Sequence, residues 1–430
     1  MKTTSDPVLR NLYQETAAPG PDLRPLDGDW KCDVVIVGGG YTGLSTALHL
    51  AERGVSATVI EAHEIGYGAS GRNGGQVNPG LKPDPDQVEA DYGPDLGRRM
   101  VALSYGAPDE VFALIERHGI DCAAARTGTM RAAVNPASER SVAALAEQCR
   151  ARNMPVELLD AQETQALTGT DRYRCALIDR RGGHLNPLGY ARGLAHAALR
   201  AGARLHVGTP AVALAATGNG WTVRTPGGTV SAPQVVIGTN GYTDDLWPRL
   251  KETVVPVYSA IAATEPLPPD LRTRIMPGRS SLYEIGWDVV YYRIDDAGRL
   301  LMGGRGPQRD VAGAGDYRHL IRYAERLWPD LEGQDWPYRW NGRVAVTADH
   351  YPHLSQPARG LHTVLGYNGR GVAMSTVAGR LIAERIATEG RASMDLPLRQ
   401  ALEPIDFHRF APIGVEARIL YGRLRDRIGL

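Results

Sequence analysis

The clearest pattern in the chain is an unbroken apolar run, Val34-Val35-Ile36-Val37, between Asp33 and a cluster of glycines. Four β-branched residues with no polar alternation predict a strand covered on both faces, as in a parallel sheet. Leu44, Ala47, Leu48 and Ala51 then recur at helical spacing and stop at Gly54, and Ala57-Thr58-Val59-Ile60 predicts a second buried strand. Strand, turn, helix and strand in this order begin an α/β domain with a parallel sheet.

Farther along, helices are predicted over 96–118 and 136–152, and strands over 121–134 and 173–180. A helix over 187–201 carries Leu188, Ala191, Leu194, Ala195 and Ala198 on one side and leads to a strand at 204–207. Short strands follow at 211–216, 220–225 and 234–238. Residues 252–264 and 281–305 alternate as antiparallel strands do, with a turn at Asp295-Asp296-Ala297-Gly298. A helix at 316–328, an extended segment at 338–354, a strand at 361–365 and a helix at 372–389 complete the pattern. Ile419, Leu420 and Leu424 among Arg418, Arg423, Arg425 and Arg427 predict a closing amphipathic helix.

The 430 residues are 43% apolar, with 48 basic and 48 acidic side chains. A chain of this size and composition folds as two or three domains, which excludes disorder. Zero net charge argues against nucleic acid or an anionic membrane as the main partner. Cys32, Cys122, Cys149 and Cys175 form neither a Cys-x-x-Cys pair nor a disulfide framework. The start lacks an apolar signal segment and no apolar run reaches the roughly 18 residues of a membrane span, so a cytoplasmic protein with reduced thiols is expected. His350 and His353 lie on a Pro-containing, non-helical segment, and no metal site is expected. Lysine occurs only at 2, 31, 82 and 251.

Gly38-Gly39-Gly40-Tyr41-Thr42-Gly43 is a G-x-G-x-x-G between the first strand and the first helix, and Glu61 ends the next strand. In this context the motif binds a dinucleotide. Gly38 permits the turn, Gly40 lets the backbone approach a pyrophosphate, and Gly43 lets helix and strand pack closely. The Glu61 carboxylate accepts from a ribose hydroxyl. The run from Gly66 to Gln76 has small side chains and open backbone amides, suiting a loop against a large planar ligand and its diphosphate. There is no redox cysteine pair, and Gly313-Ala314-Gly315 is no second fingerprint, which argues against a disulfide reductase or a nicotinamide-dependent monooxygenase.

From about Asp33 to Glu389 the chain resembles the D-amino-acid oxidase-like flavoproteins, the family of glycine and sarcosine oxidases. The resemblance rests on the two loops above and on Gly182-Gly183-His184-Leu185-Asn186-Pro187, 235–242, 298–305 and 366–373. Residues 70–76 and 340–352 are most similar to the γ-glutamylputrescine oxidoreductase branch. It implies an α/β protein with a Rossmann-like FAD-binding domain on a parallel sheet, plus a smaller α+β substrate domain on an antiparallel sheet. The expected division is an arm at 1–30, an FAD domain at 31–90, 181–242 and 340–390, and a substrate domain at 91–180 and 243–339. Residues 391–430 are expected to pack on the FAD domain.

The resemblance further implies FAD held by Gly38, Gly40, Tyr41, Thr42, Gly43, Glu61, Ala62, Ala69, Ser70, Arg72, Asn73, Gly74, Gly75, Gln76, Val212, Asn240, Gly369, Arg370, Gly371 and Val372. Tyr258, Tyr292, Arg343 and Tyr367 are the expected catalytic residues, with Tyr291 beside them. The chemistry implied is hydride transfer to flavin N5 from a C–H beside a neutral amine, giving an imine that hydrolyses to an aldehyde or oxo acid. Substrates are a small amine, a γ-glutamyl amine or an amino acid, and electrons pass to O2 or another acceptor. Sarcosine oxidases tether FAD through a cysteine where Gly342 stands, and dimethylglycine dehydrogenases through a histidine where Arg72 stands, so FAD is expected to bind non-covalently. The substrate arginine of glycine oxidase falls on Val344, leaving Arg305 or Arg370 as carboxylate ligands. The oxygen-activating lysine of sarcosine oxidases falls on Leu301, which leaves Lys82 or Lys251 for that role or a different electron acceptor. The alternatives are a 2-hydroxy-acid dehydrogenase and a non-catalytic flavin-binding subunit.

Overall fold

The computed structural model describes residues 9–286, 289–309 and 313–428, without the side chains of 418–420 and 423–428. Two sheets organise them. A seven-stranded sheet has the spatial order Leu398–Arg399, His353–Ala358, Leu361–Leu365, Gln234–Ile237, Val34–Val37, Ala57–Ile60 and Arg204–His206. The five strands from Leu361–Leu365 to Arg204–His206 run parallel.

The uniform apolarity of Val34–Val37 follows from its two covers. Val34 and Ile36 face the helices Tyr41–Ala51, Pro187–Arg200 and Gly371–Ala387. Val35 and Val37 face Trp221, Val223 and Val230 of a four-stranded sheet built from Trp30–Lys31, Gly228–Ala232, Gly220–Thr225 and Ala213–Thr217. Gly379 lets the Gly371–Ala387 helix approach the first helix; a Cβ there would stand 2.7 Å from Ser45 Cβ.

The second sheet has eight strands in the order Tyr338–Val346, Val255–Ala263, Leu300–Arg305, Tyr291–Ile294, Ser281–Ile285, Thr129–Ala133, Cys175–Asp179 and Val156–Leu159. All its pairs are antiparallel except Ser281–Ile285 with Thr129–Ala133. One face packs on the helix Arg318–Leu327 through Leu320, Ala324 and Leu327.

The strand Tyr338–Val346 pairs along its whole length with Val255–Ala263. Two expected elements are corrected. The helix expected at 96–118 starts at Pro85 and breaks at Gly93, whose φ of 77° precedes Pro94. The strand expected over 121–134 spans only Thr129–Ala133. Within the N-terminal arm, Leu12 and Tyr13, on the short helix Leu12–Thr16, are buried among Leu188, Ile261, Leu301, Tyr338 and Trp340. The C-terminal segment adds Leu398–Arg399 to the edge of the seven-stranded sheet. Helix Ala411–Ile428 follows, but the predicted apolar stripe of Ile419, Leu420 and Leu424, with its arginines 418, 423, 425 and 427, lies outside the described side chains. No helix among the described residues is long and apolar enough to cross a membrane.

Candidate active site

A cavity of about 730 Å³ runs from the carboxyl end of Val34–Val37 to the edge of the eight-stranded sheet. Its size is that of a site for a large cofactor together with a small substrate. At its inner end the chain turns at Gly38, whose φ is 112°. A Cβ on Gly43 would stand 2.0 Å from the Gly38 carbonyl oxygen, so only glycine lets this helix begin so close to the strand. The helix N-cap, Gly40, supplies no side-chain cap, and Gly40, Tyr41 and Thr42 line the cavity. An amide-rich helix end facing a cavity is a pyrophosphate site. Glu61 also lines it, with its carboxylate accepting from the N–H groups of Gly39 (2.6 Å) and His63 (2.9 Å).

The Gly-rich loop is folded by its own asparagine. Asn73 Nδ2 donates to the carbonyls of Ala69 (3.0 Å) and Ser70 (3.1 Å), and its Oδ1 accepts from Gly75 N–H at 2.7 Å. Ser70 Oγ accepts from Tyr41 N–H at 3.0 Å, tying the loop to the first helix. Arg72 donates to the Tyr67 carbonyl at 2.7 Å and its guanidinium lies 4.9 Å from the Tyr67 ring centre. A Cβ on Gly342 would stand 3.1 Å from Arg72 Cβ. The two positions that carry covalent tethers in related flavoproteins therefore face each other, and neither holds a cysteine or histidine.

The outer end belongs to the eight-stranded sheet. Tyr258, Ser259, Tyr291, Asn341, Arg343 and Val344 line it, opposite Gln76, Asn78 and Tyr367. Ser259 Oγ and Tyr291 OH are 2.8 Å apart. The Tyr291 ring lies over Gly303 and Gly74, where added Cβ atoms would stand 2.1 and 2.6 Å from it. Arg343 reaches the cavity with its guanidinium 5.1 Å from the Tyr242 ring centre and 5.6 Å from that of Tyr258. Burial pushes the Tyr291 and Tyr367 hydroxyls well above the ordinary tyrosine range, so both stay protonated. Gly371 and Val372 bring the start of the helix Gly371–Ala387 to the cavity, again with no side-chain cap. Its partial positive charge suits an electron-rich group there.

Of the expected cofactor residues, Gly38, Gly40, Tyr41, Thr42, Glu61, Ala62, Ala69, Ser70, Arg72, Asn73, Gly74, Gln76, Asn240, Gly369, Gly371 and Val372 line the cavity. Four do not. Gly43 and Gly75 are packed against the backbone of Gly38 and Leu185, Val212 is 52% exposed, and Arg370 turns to the Tyr283 hydroxyl at 2.9 Å. Among the expected catalytic residues, Tyr258, Arg343 and Tyr367 line the cavity and Tyr292 does not. Strand alternation sends Tyr292 into the core of the second domain, 2.6 Å from Tyr173 OH, and gives the cavity its neighbour Tyr291. Ser259, Asn341 and Asn78 escaped the sequence reading. Alternation along the strand from Tyr258 points away from Ser259, which stands opposite Gly342 in the sheet and lines the cavity all the same.

A family model for FAD-dependent oxidoreductases (DAO) matches residues 33–385. The chain is 34% identical to the γ-glutamylputrescine oxidoreductase of Escherichia coli strain K12, over 98% of this chain and 99% of that protein. It is 33% identical to a probable oxidoreductase, OrdL, of Rhizobium meliloti, over 86% of this chain and 87% of that one. The crystal structure of glycine oxidase from Geobacillus kaustophilus shares the fold, with a TM-score of 0.72 at 24% identity, covering 87% of this chain and 99% of that one. The open glycine cradle, the two uncapped helix ends and the length of the cavity fit FAD. The chain belongs to the DAO family of FAD-dependent oxidoreductases.

Proposed function

We propose that this enzyme oxidises the C–N bond of a small amine, a γ-glutamyl amine or an amino acid, with FAD bound non-covalently. FAD supplies a two-electron acceptor for the hydrogen leaving the carbon beside the amine nitrogen. The carrying observation is the cavity wall along the eight-stranded sheet, where Tyr258, Ser259, Tyr291, Asn341 and Arg343 share the cavity with Gln76, Asn78 and Tyr367 beside the glycine cradle. A wall made mainly of neutral hydrogen-bonding groups suits a small amine held in its neutral form, from which hydride can leave. Tyr258 and Tyr291 wall off water from this part of the cavity. Similarity to a γ-glutamylputrescine oxidoreductase supports the amine over the hydroxy acid.

The residue at the oxygen-activating position of sarcosine oxidases, Leu301, is buried against Leu12 and Tyr13, Lys251 is a partner of Asp245 at 2.7 Å, and Lys82 does not line the cavity. This supports an electron acceptor other than O2. Product analysis tests the whole reading. Aldehyde or oxo acid should appear from amines and amino acids; product from 2-hydroxy acids alone would overturn it.

A further inference from the structure

A full positive charge is buried just behind the wall of the cavity. Arg293, on the strand Tyr291–Ile294, is 3% exposed. Its Nε donates to the Gly74 carbonyl at 2.7 Å, and one terminal nitrogen donates to the Leu185 carbonyl at 3.1 Å and lies 3.5 Å from the Tyr13 hydroxyl. These partners are all neutral, and no carboxylate among the described residues pairs with Arg293. The acid two residues on, Asp295, is engaged by Arg299 through its backbone N–H at 2.9 Å and its guanidinium at 3.4 Å.

A guanidinium taken out of water without a counter-charge is costly, and its field is poorly screened. Two buried neighbours feel it. Burial first and Arg293 second hold His184 well below the ordinary histidine range, and Arg293 pulls the Tyr13 hydroxyl down against the larger upward push of burial.

The Gly-rich loop is shaped around this cation. A Cβ on Gly75, whose φ is 71°, would stand 2.8 Å from an Arg293 terminal nitrogen and 2.2 Å from the Leu185 carbonyl oxygen, so only glycine fits there. Gly74 lines the cavity and Arg293 does not. The Gly74 carbonyl is therefore turned to a cation outside the cavity, while the Gly74 N–H takes no partner among the described residues. A charge placed one peptide behind the wall favours whichever form of a bound group carries more negative charge.

We propose that Arg293 is a positioning residue for FAD: from behind the loop it fixes the Gly74 peptide, and its permanent charge makes the bound flavin easier to reduce. The inference needs the FAD of this family and does not depend on which substrate is oxidised.

The test is the midpoint potential of the FAD-loaded enzyme, read without substrate by anaerobic equilibration with reference dyes. In Arg293→Gln and Arg293→Met the equilibrium constant for two-electron reduction should fall tenfold or more, a drop of about 30 mV or more. Arg293→Lys keeps the charge and loses the fork, so it should retain most of the parent potential while binding FAD less tightly. A merely structural role would lower FAD affinity and melting temperature and leave the potential of the remaining flavin unmoved. A neutral variant with the parent potential, or a lysine variant as low as the neutral ones, would overturn the proposal. If neither neutral variant holds FAD, the pH dependence of the parent potential decides. One proton taken up with two electrons, the result expected beside a fixed cation, gives a fall of about 30 mV per pH unit from pH 7 to 8.5; two protons, about 59 mV, would overturn it. No amine enters these measurements, so their failure leaves amine oxidation standing, and a flavin that no amine bleaches leaves the role of Arg293 standing.

Discussion

The Tyr367 hydroxyl lies 2.6 Å from Thr42 Oγ1, a buried contact between residues 325 apart in the chain. It closes the cavity wall between the start of the helix Tyr41–Ala51 and the turn before the helix Gly371–Ala387. Tyr367→Phe removes the contact and leaves a buried hydroxyl with less to bond, at a cost of about 1 kcal/mol in stability and up to about tenfold in FAD affinity. Denaturant unfolding and FAD titration of the apoprotein check both numbers. Thr42→Val in the same background should add much less than it costs alone, because the two groups act as one pair.

Tyr291 and Tyr292 are adjacent in sequence and opposite in role. Tyr291→Phe takes the partner from Ser259 inside the cavity and should lower kcat/KM about tenfold, or about 1.4 kcal/mol. Tyr292→Phe breaks the contact with Tyr173 beside the buried Glu284 carboxylate. It should cost about 1–2 kcal/mol in stability and change kcat/KM of the folded enzyme less than about twofold. Steady-state kinetics and thermal melts of the two variants separate the roles; the reverse outcome would put Tyr292 at the site.

Much of this architecture was legible in the sequence, for stated physical reasons. A strand buried on both faces has no polar positions, so Val34–Val37 announced itself, and the glycines after it fixed the cofactor end of the cavity. The substrate end was harder, because it is assembled from strands whose register depends on partners far away. Nothing local chooses between Tyr291 and Tyr292; the choice is made by pairing with Gly303 and Met302. The sheet that Tyr338–Val346 joins is likewise set by its pairing with Val255–Ala263, distant in the chain. Arg370 sits in a loop motif where sequence spacing alone says cofactor, while its length takes it to Tyr283 on the other domain.

The facing of Gly342 on Arg72 predicts a flavin that can be washed away. Acid precipitation of the yellow enzyme should leave the colour in the supernatant and a white pellet. A yellow pellet would mean a covalent bond at another residue. Reversible loss of FAD should also lower the melting temperature, and added FAD should restore it in a concentration-dependent way.

His362 is buried on Leu361–Leu365, donates to Gln234 Oε1 at 2.9 Å, and is pushed down to about 4, by burial first and by Arg385 second. The unfolded chain takes up that proton near pH 6.5, whereas the folded protein resists until about pH 4. Its contribution to stability is therefore complete above about pH 6.5 and lost as the pH falls towards 4, by about 2–3 kcal/mol for this residue. Burial lowers His49 and His184 in the same direction. Melting temperatures from pH 7 to 4.5 should fall less steeply for His362→Asn than for the parent enzyme.

The most direct test of the central claim is the visible spectrum of the purified enzyme under anaerobic conditions, before and after an excess of an amine. A bound flavin should bleach with amines and regain its colour when an electron acceptor is supplied. A flavin that stays oxidised with every amine and amino acid, or a protein that holds no flavin, would contradict it.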